Sequence, residues 1–202
     1  GAMAAILGLE DGQVKDICTA ASQGEVVEAV NFNSPGQVVV AGHRTAVERA
    51  MAAAKEAGAK RALPLPVSVP SHCSLMKPAA EKLADALKVV DFAVPQIRVI
   101  HNADVAAYED AAQIRNALVR QLYSPVRWTE TVNALANEGI TESAECGPGK
   151  VLAGLARRIH PDAVCSALTT DAQIETFIAS HYHAGHGQRA GDGRAQREGQ
   201  TG

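Results

Sequence analysis

The 202-residue sequence contains few aromatic residues, which make up 3% of the chain, and its formal net charge is only −3. With 47% hydrophobic residues, the chain is expected to fold around a core built mainly from Ala, Val, Leu and Ile. A nearly neutral chain gives no electrostatic reason to expect nucleic acid or an anionic membrane as a partner. The length suits one sizeable domain, or one domain with a small satellite.

The sequence also lacks long apolar runs and paired cysteines. No apolar run approaches the roughly 20 residues that cross a bilayer, and no signal peptide is visible. Because no cysteine forms a C-x-x-C pair, zinc and thioredoxin-like sites are not expected. Scattered cysteines in a domain of this size indicate reduced thiols and a cytoplasmic location; they are Cys18, Cys73, Cys146 and Cys165. The chain does not begin with Met, so either an upstream segment is missing or Gly1-Ala2-Met3 is an expression remnant.

Residues 1–68 follow the order strand, helix, strand, strand, helix, strand. Asp11 is expected to cap the first helix, and the turn Asn33-Ser34-Pro35-Gly36 separates the second and third strands. This is the split βαβ order of a ferredoxin-like unit. We therefore expect a ferredoxin-like βαββαβ subdomain, with strands at 2–9, 26–32, 37–41 and 60–69 and a second helix at 45–57.

Residues 69–170 alternate helices with strands in a different way. Strands separated by helices indicate a parallel sheet covered on both faces. Residues 171–202 are expected to form a variable, disordered tail, because 185–202 contain almost nothing apolar. The predicted strands are 96–101, 140–144 and 164–168, and the predicted helices run through Leu83 and Leu87, from Asp110 to about Tyr123, over 129–137, and through 151–159.

His72 is the first candidate for catalysis. It follows an extended segment that contains Pro64, Pro66 and Pro70, and these prolines stiffen the backbone and remove N–H donors. A stiff segment that ends in Ser71-His72 holds an imidazole at a fixed place, and imidazole is the usual general base near neutral pH. The local sequence alone favours the alternative, a loop histidine with no chemical role.

Gln121 is a polar residue on the apolar side of a predicted helix, on a stripe with Ile114 and Ala117. A buried amide without a partner costs about 1–3 kcal/mol. The side chain is therefore expected either to satisfy a loop carbonyl or to hold another polar group, such as a catalytic base. Its position alone favours the first explanation.

Other motifs have simpler explanations. Gly147-Pro148-Gly149-Lys150 lacks the spacing of a phosphate-binding loop and indicates a tight turn between a strand and a helix. The H-x-H-x-x-H motif of His181, His183 and His186 has no folded scaffold around it, so no metal site is expected. No serine lies in the G-x-S-x-G elbow of acyl-transfer enzymes; the nearest string, residues 42–46, has Arg44 where serine is needed.

Five blocks of the sequence together resemble the bacterial malonyl-CoA:acyl-carrier-protein transacylases. The resemblance is collinear from Gly1 to about Leu168, and several blocks are long and unusual. They are residues 1–9, 30–39 (VNFNSPGQVV), 62–78 (ALPLPVSVPSHCSLMKP), 117–125 (ALVRQLYSP) and 147–152 (GPGKVL).

The resemblance implies an α/β fold in which an incomplete, parallel-sheet, hydrolase-like acyltransferase core carries the ferredoxin-like subdomain. In this family a serine attacks the malonyl thioester, while a histidine takes the serine proton and later activates the phosphopantetheine thiol of the acyl-carrier protein. The histidine matches His72, and the glutamine whose backbone carbonyl orients it matches Gln121. Ser71 is a candidate substrate-binding residue, because a small side chain there is compatible with malonyl. Asn33 is a second candidate, although turn chemistry explains it as well.

The resemblance also implies malonyl-CoA and acyl-carrier protein as partners, no cofactor or metal, and a monomeric full-length protein of fatty acid biosynthesis. The chain would correspond to the C-terminal two-thirds of the family. The nucleophilic serine, an oxyanion-hole glutamine and the arginine that binds the malonyl carboxylate have no counterpart in it. We therefore expect the chain alone to be inactive. Two alternatives are a non-catalytic module that binds carrier protein or CoA, and a truncated gene product without function.

Overall fold

A computed structural model describes residues 1–186 of the chain, with side-chain surroundings for residues 1–181. Within these residues it has an α/β architecture, and a 3₁₀ turn at Ser74–Met76 precedes the third helix. The strands are β1 Ala2–Leu7, β2 Val27–Ser34, β3 Gln37–Gly42, β4 Arg61–Pro64, β5 Ile100–His101, β6 Ala106–Ala107, β7 Glu142–Cys146 and β8 Val164–Leu168. The helices are α1 Asp11–Ser22, α2 Arg44–Glu56, α3 Lys77–Leu87, α4 Ala111–Gln121, α5 Trp128–Asn137, α6 Val151–Ile159 and α7 Asp171–His186.

The first four strands form one antiparallel sheet in the order β2-β3-β1-β4. The helices α1 and α2 pack on one face of it, because their buried residues recur at helical spacing while the strands alternate. Burying each Val or Ile of this core contributes about 1.5–3 kcal/mol. The predicted ferredoxin-like βαββαβ order is confirmed, and the boundaries at residues 68 and 170 stay predictions. The largest fully buried side chains on this face are Ile6, Val14, Val38, Val40 and Val47.

The strand β3 ends at Gly42, where the backbone of the neighbouring strand comes very close. Gly42 is paired with Ala2 on one side and with Val27 on the other. A Cβ atom at this position would lie 2.0 Å from the carbonyl oxygen of Val26. Glycine is needed here for the close approach of two backbones, since neither of them can move aside like a flexible side chain.

The opposite face of the sheet holds a second, smaller core. Cys73, which follows His72, has no exposed surface and packs there against residues of β1, β2 and β3. The chain that leaves β4 therefore returns across this face and is fixed to it. The other buried members of this cluster are Met3, Val30, Val39 and Ala41.

The outer edge of β2 is covered by the segment between α4 and α5. The Phe32 N–H donates to the Val126 carbonyl at 2.9 Å, and the Val126 N–H donates to the Val30 carbonyl at 2.8 Å. Val126 thus adds one parallel bridge to the sheet. This contact satisfies backbone groups that an open sheet edge would leave unpaired, and it ties α4 and α5 to the four-stranded sheet.

The strands β7 and β8 pair in parallel from Glu142↔Val164 to Cys146↔Leu168, and α6 connects them. The predicted parallel pairing of these two strands is confirmed. The predicted strand at 96–101 is wrong in extent, because only Ile100–His101 is extended and it pairs antiparallel with β6 in a short hairpin. In the described part of the chain, Ile97 and Val99 have no neighbouring strand and are largely exposed.

Three further expectations need correction. The strand predicted at 60–69 is shorter, because only Arg61–Pro64 is extended and Pro66 and Pro70 lack the N–H that sheet pairing needs. The helix α1 begins at Asp11, so the residue that caps it is Glu10. The Glu10 N–H donates to the Gln13 side-chain oxygen Oε1 at 3.0 Å. Residues 171–186 form α7, although the sequence predicted a disordered tail for 171–202. The remainder of that predicted tail lies outside the described residues, as do the side chains of His183 and His186. Within residues 1–186, no helix is long and apolar enough to cross a bilayer.

An ion pair fastens α7 to β7. The ring of His181 stacks on Phe177, its Nδ1 donates to the Phe177 carbonyl at 2.8 Å, and its Nε2 lies 2.5 Å from Glu142 Oε2. Both ring nitrogens lie close to acceptors, and this arrangement favours the charged imidazolium. The hydrogen bond to Phe177 and the carboxylate of Glu142 accordingly raise the pKa of His181 above its ordinary value of 6.5.

The stability of the chain is expected to depend on pH through His181. A histidine whose pKa is raised by folding adds stability below the pKa of the unfolded chain, and this is lost as the pH rises through the folded pKa. The urea midpoint should therefore differ more between the wild type and His181→Asn at pH 6 than at pH 8. If the difference in urea midpoint from the wild type were equal at pH 6 and pH 8, for His181→Asn and also for Glu142→Gln, the ion pair would be contradicted.

The four cysteines are free thiols with unequal exposure, which predicts unequal reactivity. Burial raises the pKa of Cys18 from its ordinary 9.0 to about 12, so its thiolate fraction at pH 8 falls about a thousandfold. Iodoacetamide should modify the exposed Cys146 first and leave Cys18 unmodified, as followed by mass spectrometry of peptides. In urea, where the chain is unfolded, Cys146 and Cys18 should react at similar rates. Equal labelling of both residues in the folded chain would contradict the burial of Cys18.

Candidate active site

His72 lies in a loop that is constrained on both sides. Its backbone has a φ of 67°, in the left-handed region that few non-glycine residues occupy. On the N-terminal side, the Ser71 N–H donates to the Val69 carbonyl at 3.0 Å in a tight turn. On the C-terminal side, the buried Cys73 donates its thiol to the Pro70 carbonyl at 3.1 Å. The loop therefore holds the imidazole in one place, as the proline-rich segment before it predicted.

The structure brings His72 and Gln121 together. The His72 Nδ1 lies 2.8 Å from the backbone carbonyl oxygen of Gln121, and the His72 N–H donates to the Leu122 carbonyl at 3.1 Å. Because a carbonyl oxygen only accepts, Nδ1 carries the proton and Nε2 carries the lone pair. The ring is thus held in the tautomer in which Nε2 can take a proton from another group.

The end of α4 explains why these two carbonyls are available. The helix ends at Gln121, and the last carbonyls of a helix have no partner within it. Pro125 follows shortly afterwards and prevents the helix from continuing. The contact with His72 is made by the backbone carbonyl of Gln121. The position of the Gln121 side chain on the apolar stripe therefore does not explain this contact.

A salt bridge fixes this end of α4 to the hairpin of β5 and β6. The Arg120 guanidinium donates to Asp104 Oδ2 at 2.5 Å, and the Tyr108 hydroxyl donates to the same oxygen at 3.1 Å. Asp104 raises the pKa of Arg120. Since its guanidinium is engaged by Asp104, Arg120 serves to hold the helix end that supports His72.

Beyond His72, the loop is held from the sheet by Glu28. The Glu28 carboxylate accepts two hydrogen bonds from Ser74, one from the backbone N–H at 3.1 Å and one from the hydroxyl at 2.5 Å. Sequence reasoning missed both Glu28 and Ser74. One signal was available, because Glu28 is the single charged residue between the apolar Val27 and Val30 of a predicted strand.

The two predicted substrate-binding residues lie in different elements. Ser71 is half-buried and adjacent to His72 in the loop. Asn33 lies in β2 at a bulge between Phe32 and Ser34. The contacts that define the His72 site come from Gln121 and Leu122, and the roles of Ser71 and Asn33 stay predictions.

The Gly147-Pro148-Gly149 segment is a turn from β7 into α6, as expected. The first turn of α6 receives the carboxylate of Glu145, whose Oε2 accepts from the Ala153 N–H at 2.8 Å. An acidic side chain at a helix N-terminus occupies the place where a phosphate would bind. Within residues 1–181, no group of three or more His, Cys, Asp and Glu side chains is arranged to hold a metal ion.

These features describe an α/β protein in which a backbone carbonyl fixes one histidine and leaves its Nε2 available. This is the geometry of a general base. Comparison with known proteins identifies the relatives of the chain. The chain is 62% identical over 181 residues to the malonyl CoA-acyl carrier protein transacylase of Haemophilus influenzae, covering 88% of this chain and 58% of that protein. The chain thus spans a little over half the length of the curated relatives it matches.

Solved structures agree with this similarity. An acyl carrier protein S-malonyltransferase from Vibrio cholerae superposes with a TM-score of 0.86 at 57% identity, covering 87% of this chain and 57% of that one. A malonyl-transacylase solved in complex with a type II PKS acyl-carrier protein has a TM-score of 0.86 at 52% identity, with 89% and 58% covered. No family model matches the chain. By sequence and by fold, the chain is related to the malonyl CoA-acyl carrier protein transacylases over a part of their length.

Proposed function

We propose that this chain supplies the general base of an acyltransferase that moves a malonyl group from coenzyme A to the thiol of an acyl-carrier protein. The observation that carries the proposal is the 2.8 Å contact between His72 Nδ1 and the Gln121 carbonyl. It fixes the tautomer in which Nε2 is the basic nitrogen. The relationship to malonyl CoA-acyl carrier protein transacylases supports the choice of malonyl and carrier protein as substrates.

In the first half of the reaction, His72 Nε2 takes the proton of a serine hydroxyl while the serine oxygen bonds to the thioester carbon. The carbon–sulfur bond then breaks, and the proton on Nε2 passes to the departing CoA thiol. In the second half, Nε2 takes the proton of the phosphopantetheine thiol, which attacks the malonyl-serine ester, and returns a proton to the serine oxygen. We infer that this serine belongs to a part of the relatives' length that the present chain does not match.

The end of α4 assists the histidine during both halves. The C-terminus of a helix carries a partial negative charge, which favours the positive charge that the ring acquires when Nε2 is protonated. The Gln121 carbonyl keeps Nδ1 protonated throughout. Ser71, as the small neighbour of His72, would leave room for the malonyl group, and Asn33 would contact substrate from the edge of β2.

The same proposal covers location and requirements. We propose that the protein acts in the cytoplasm, because its four cysteines are free thiols. No cofactor takes part in the reaction as written, since the histidine and the serine carry every proton and bond that change. The carrier protein is proposed as the acyl acceptor, in line with the related malonyl-transacylase that was solved with a carrier protein.

The experiment that tests this function joins the chain to the remaining length of a relative and measures transfer of radiolabelled malonyl from CoA to holo carrier protein. The chain alone is expected to show no transfer, and the joined protein is expected to transfer malonyl and to form a malonyl ester with serine. A joined protein that folds but gives neither product would refute the proposal. Binding of carrier protein without transfer would support a binding module instead.

A further inference from the structure

The backbone of His72 is in a conformation that other parts of the protein must maintain. A non-glycine residue with a φ of 67° costs of the order of 1–3 kcal/mol and persists only when its surroundings enforce it. The bonds to Gln121 and Leu122 act on His72 itself and lie toward α4. They leave the chain after His72 free to relax unless something holds it from the opposite side.

The residues after His72 are held from the four-stranded sheet. Cys73 is buried in the core on the face of the sheet that lies away from α1 and α2. Glu28 is paired with Ala41 across β2 and β3, so it projects from the same face as Ala41, which belongs to that core. Its carboxylate accepts from both the N–H and the hydroxyl of Ser74.

Glu28 holds Ser74, the first residue of the 3₁₀ turn, through both its backbone and its side chain. A hydrogen bond with a charged partner is about twice as strong as a neutral one, and two of them converge here on one residue, two positions after the histidine. The strand that carries Glu28 is paired on both sides, with β3 and with Val126. The loop is thereby attached to the same sheet as α4, whose end supplies the Gln121 carbonyl.

We propose that Glu28 is a positioning residue for His72, holding Ser74 so that the imidazole keeps its Nδ1 on the Gln121 carbonyl and presents Nε2. This inference rests on the proposed function only for its catalytic consequence. Its structural part, the coupling between Glu28 and the tautomer of His72, can be measured in the chain as it stands. A residue that merely stabilised the fold would leave the tautomer of the folded molecules unchanged.

The experiment is nitrogen NMR of the His72 ring in the full chain at about pH 8, where neutral imidazole is observed. In the wild type, the Nδ1–H form should dominate. In Glu28→Ala, which removes both hydrogen bonds to Ser74, the ratio of Nδ1–H to Nε2–H should fall about three- to tenfold, as for the loss of one ordinary hydrogen bond between Nδ1 and the Gln121 carbonyl. In Ser74→Ala, which keeps the backbone N–H bond to Glu28, the ratio should fall by a smaller factor. The double variant should show no further fall beyond that of Glu28→Ala, because Glu28→Ala already removes both hydrogen bonds to Ser74. Glu28→Gln, which keeps an acceptor oxygen, should recover part of the ratio.

Glu25→Ala is the matched control. Its carboxylate also accepts from a hydroxyl, that of Thr45 at 2.7 Å, and pairs with Arg49, but it lies before β2 and against α2. Its loss should leave the His72 ratio at the wild-type value. Unchanged ratios in folded Glu28→Ala and Ser74→Ala would overturn the positioning role while leaving the proposed function intact. A wild type without a dominant Nδ1–H form would instead contradict the His72–Gln121 geometry, and with it the proposed function.

Discussion

Replacing His72 by Ala should lower malonyl transfer by about a hundred- to ten-thousandfold in the joined protein, the usual contribution of a positioned general base. Without Nε2, the proposed acceptor of the serine proton is lost. Both half-reactions should suffer, because the same nitrogen acts in each. The measurement is kcat/KM for transfer to holo carrier protein, with pre-formed malonyl-serine enzyme used to follow the second half separately.

Two comparators make this result specific. Gln121→Ala keeps the backbone carbonyl that contacts Nδ1, so its loss of activity should be less than about tenfold, arising only from the packing of its side chain. His160→Ala removes another imidazole, at the C-terminal end of α6, and should leave transfer within about twofold of wild type. Transfer by His72→Ala that resembled either comparator would exclude this histidine as the base.

Gly42→Ala should destabilise the chain by about 3 kcal/mol, toward the upper end of the usual cost of overpacking. The added methyl group would lie 2.0 Å from the Val26 carbonyl oxygen, and the two atoms nearest after it are also backbone atoms. One of the two strand pairings at the end of β3 would have to open. The free energy of unfolding from urea titration measures the effect.

Gly12→Ala is the same chemical change at a site with the opposite expectation. Nothing lies within 4 Å of a Cβ placed on Gly12, which is in the first turn of α1. Alanine there should raise the free energy of unfolding by about 0.5 kcal/mol, because it restricts the unfolded chain and favours the helix. Equal effects of the two substitutions would show that the close approach at Gly42 is absent in solution.

The order of elements in residues 1–68 was predictable because the segments carry signals of their own, as in the short apolar run of β3 and the apolar stripe of α2. The segment at 96–101 was not, because Ile97 and Val99 have the pattern of a strand but the described chain gives them no neighbour. The hydrophobic pattern of a segment indicates which structures that segment can adopt, whereas strand pairing also depends on residues far away in the sequence. The α1 boundary differed by one residue because Glu10 and Asp11 both suit a helix start.

The candidate site was predictable only in part for the same reason. His72 was predicted from its proline-rich segment and Gln121 from its polar side chain on an apolar stripe, and the family resemblance supported both. All of these signals can be seen in the local sequence. The contribution of Leu122 is a backbone carbonyl, which every residue possesses, so no side chain could signal it. Glu28 and Ser74 are separated by 46 residues, and only the fold shows that they meet.

The stretch from Gln121 to Val126 joins two supports within six residues. Its first two carbonyls hold the ring and the backbone N–H of His72, and its last residue is hydrogen-bonded along the edge of β2, the strand from which Glu28 reaches Ser74. The loop of His72 is therefore part of a closed ring of contacts that runs through Ser74, Glu28, β2, Val126 and the end of α4. A substitution at Val126, or a protein that binds at the edge of the sheet, is therefore expected to change the hydrogen bond between His72 Nδ1 and the Gln121 carbonyl.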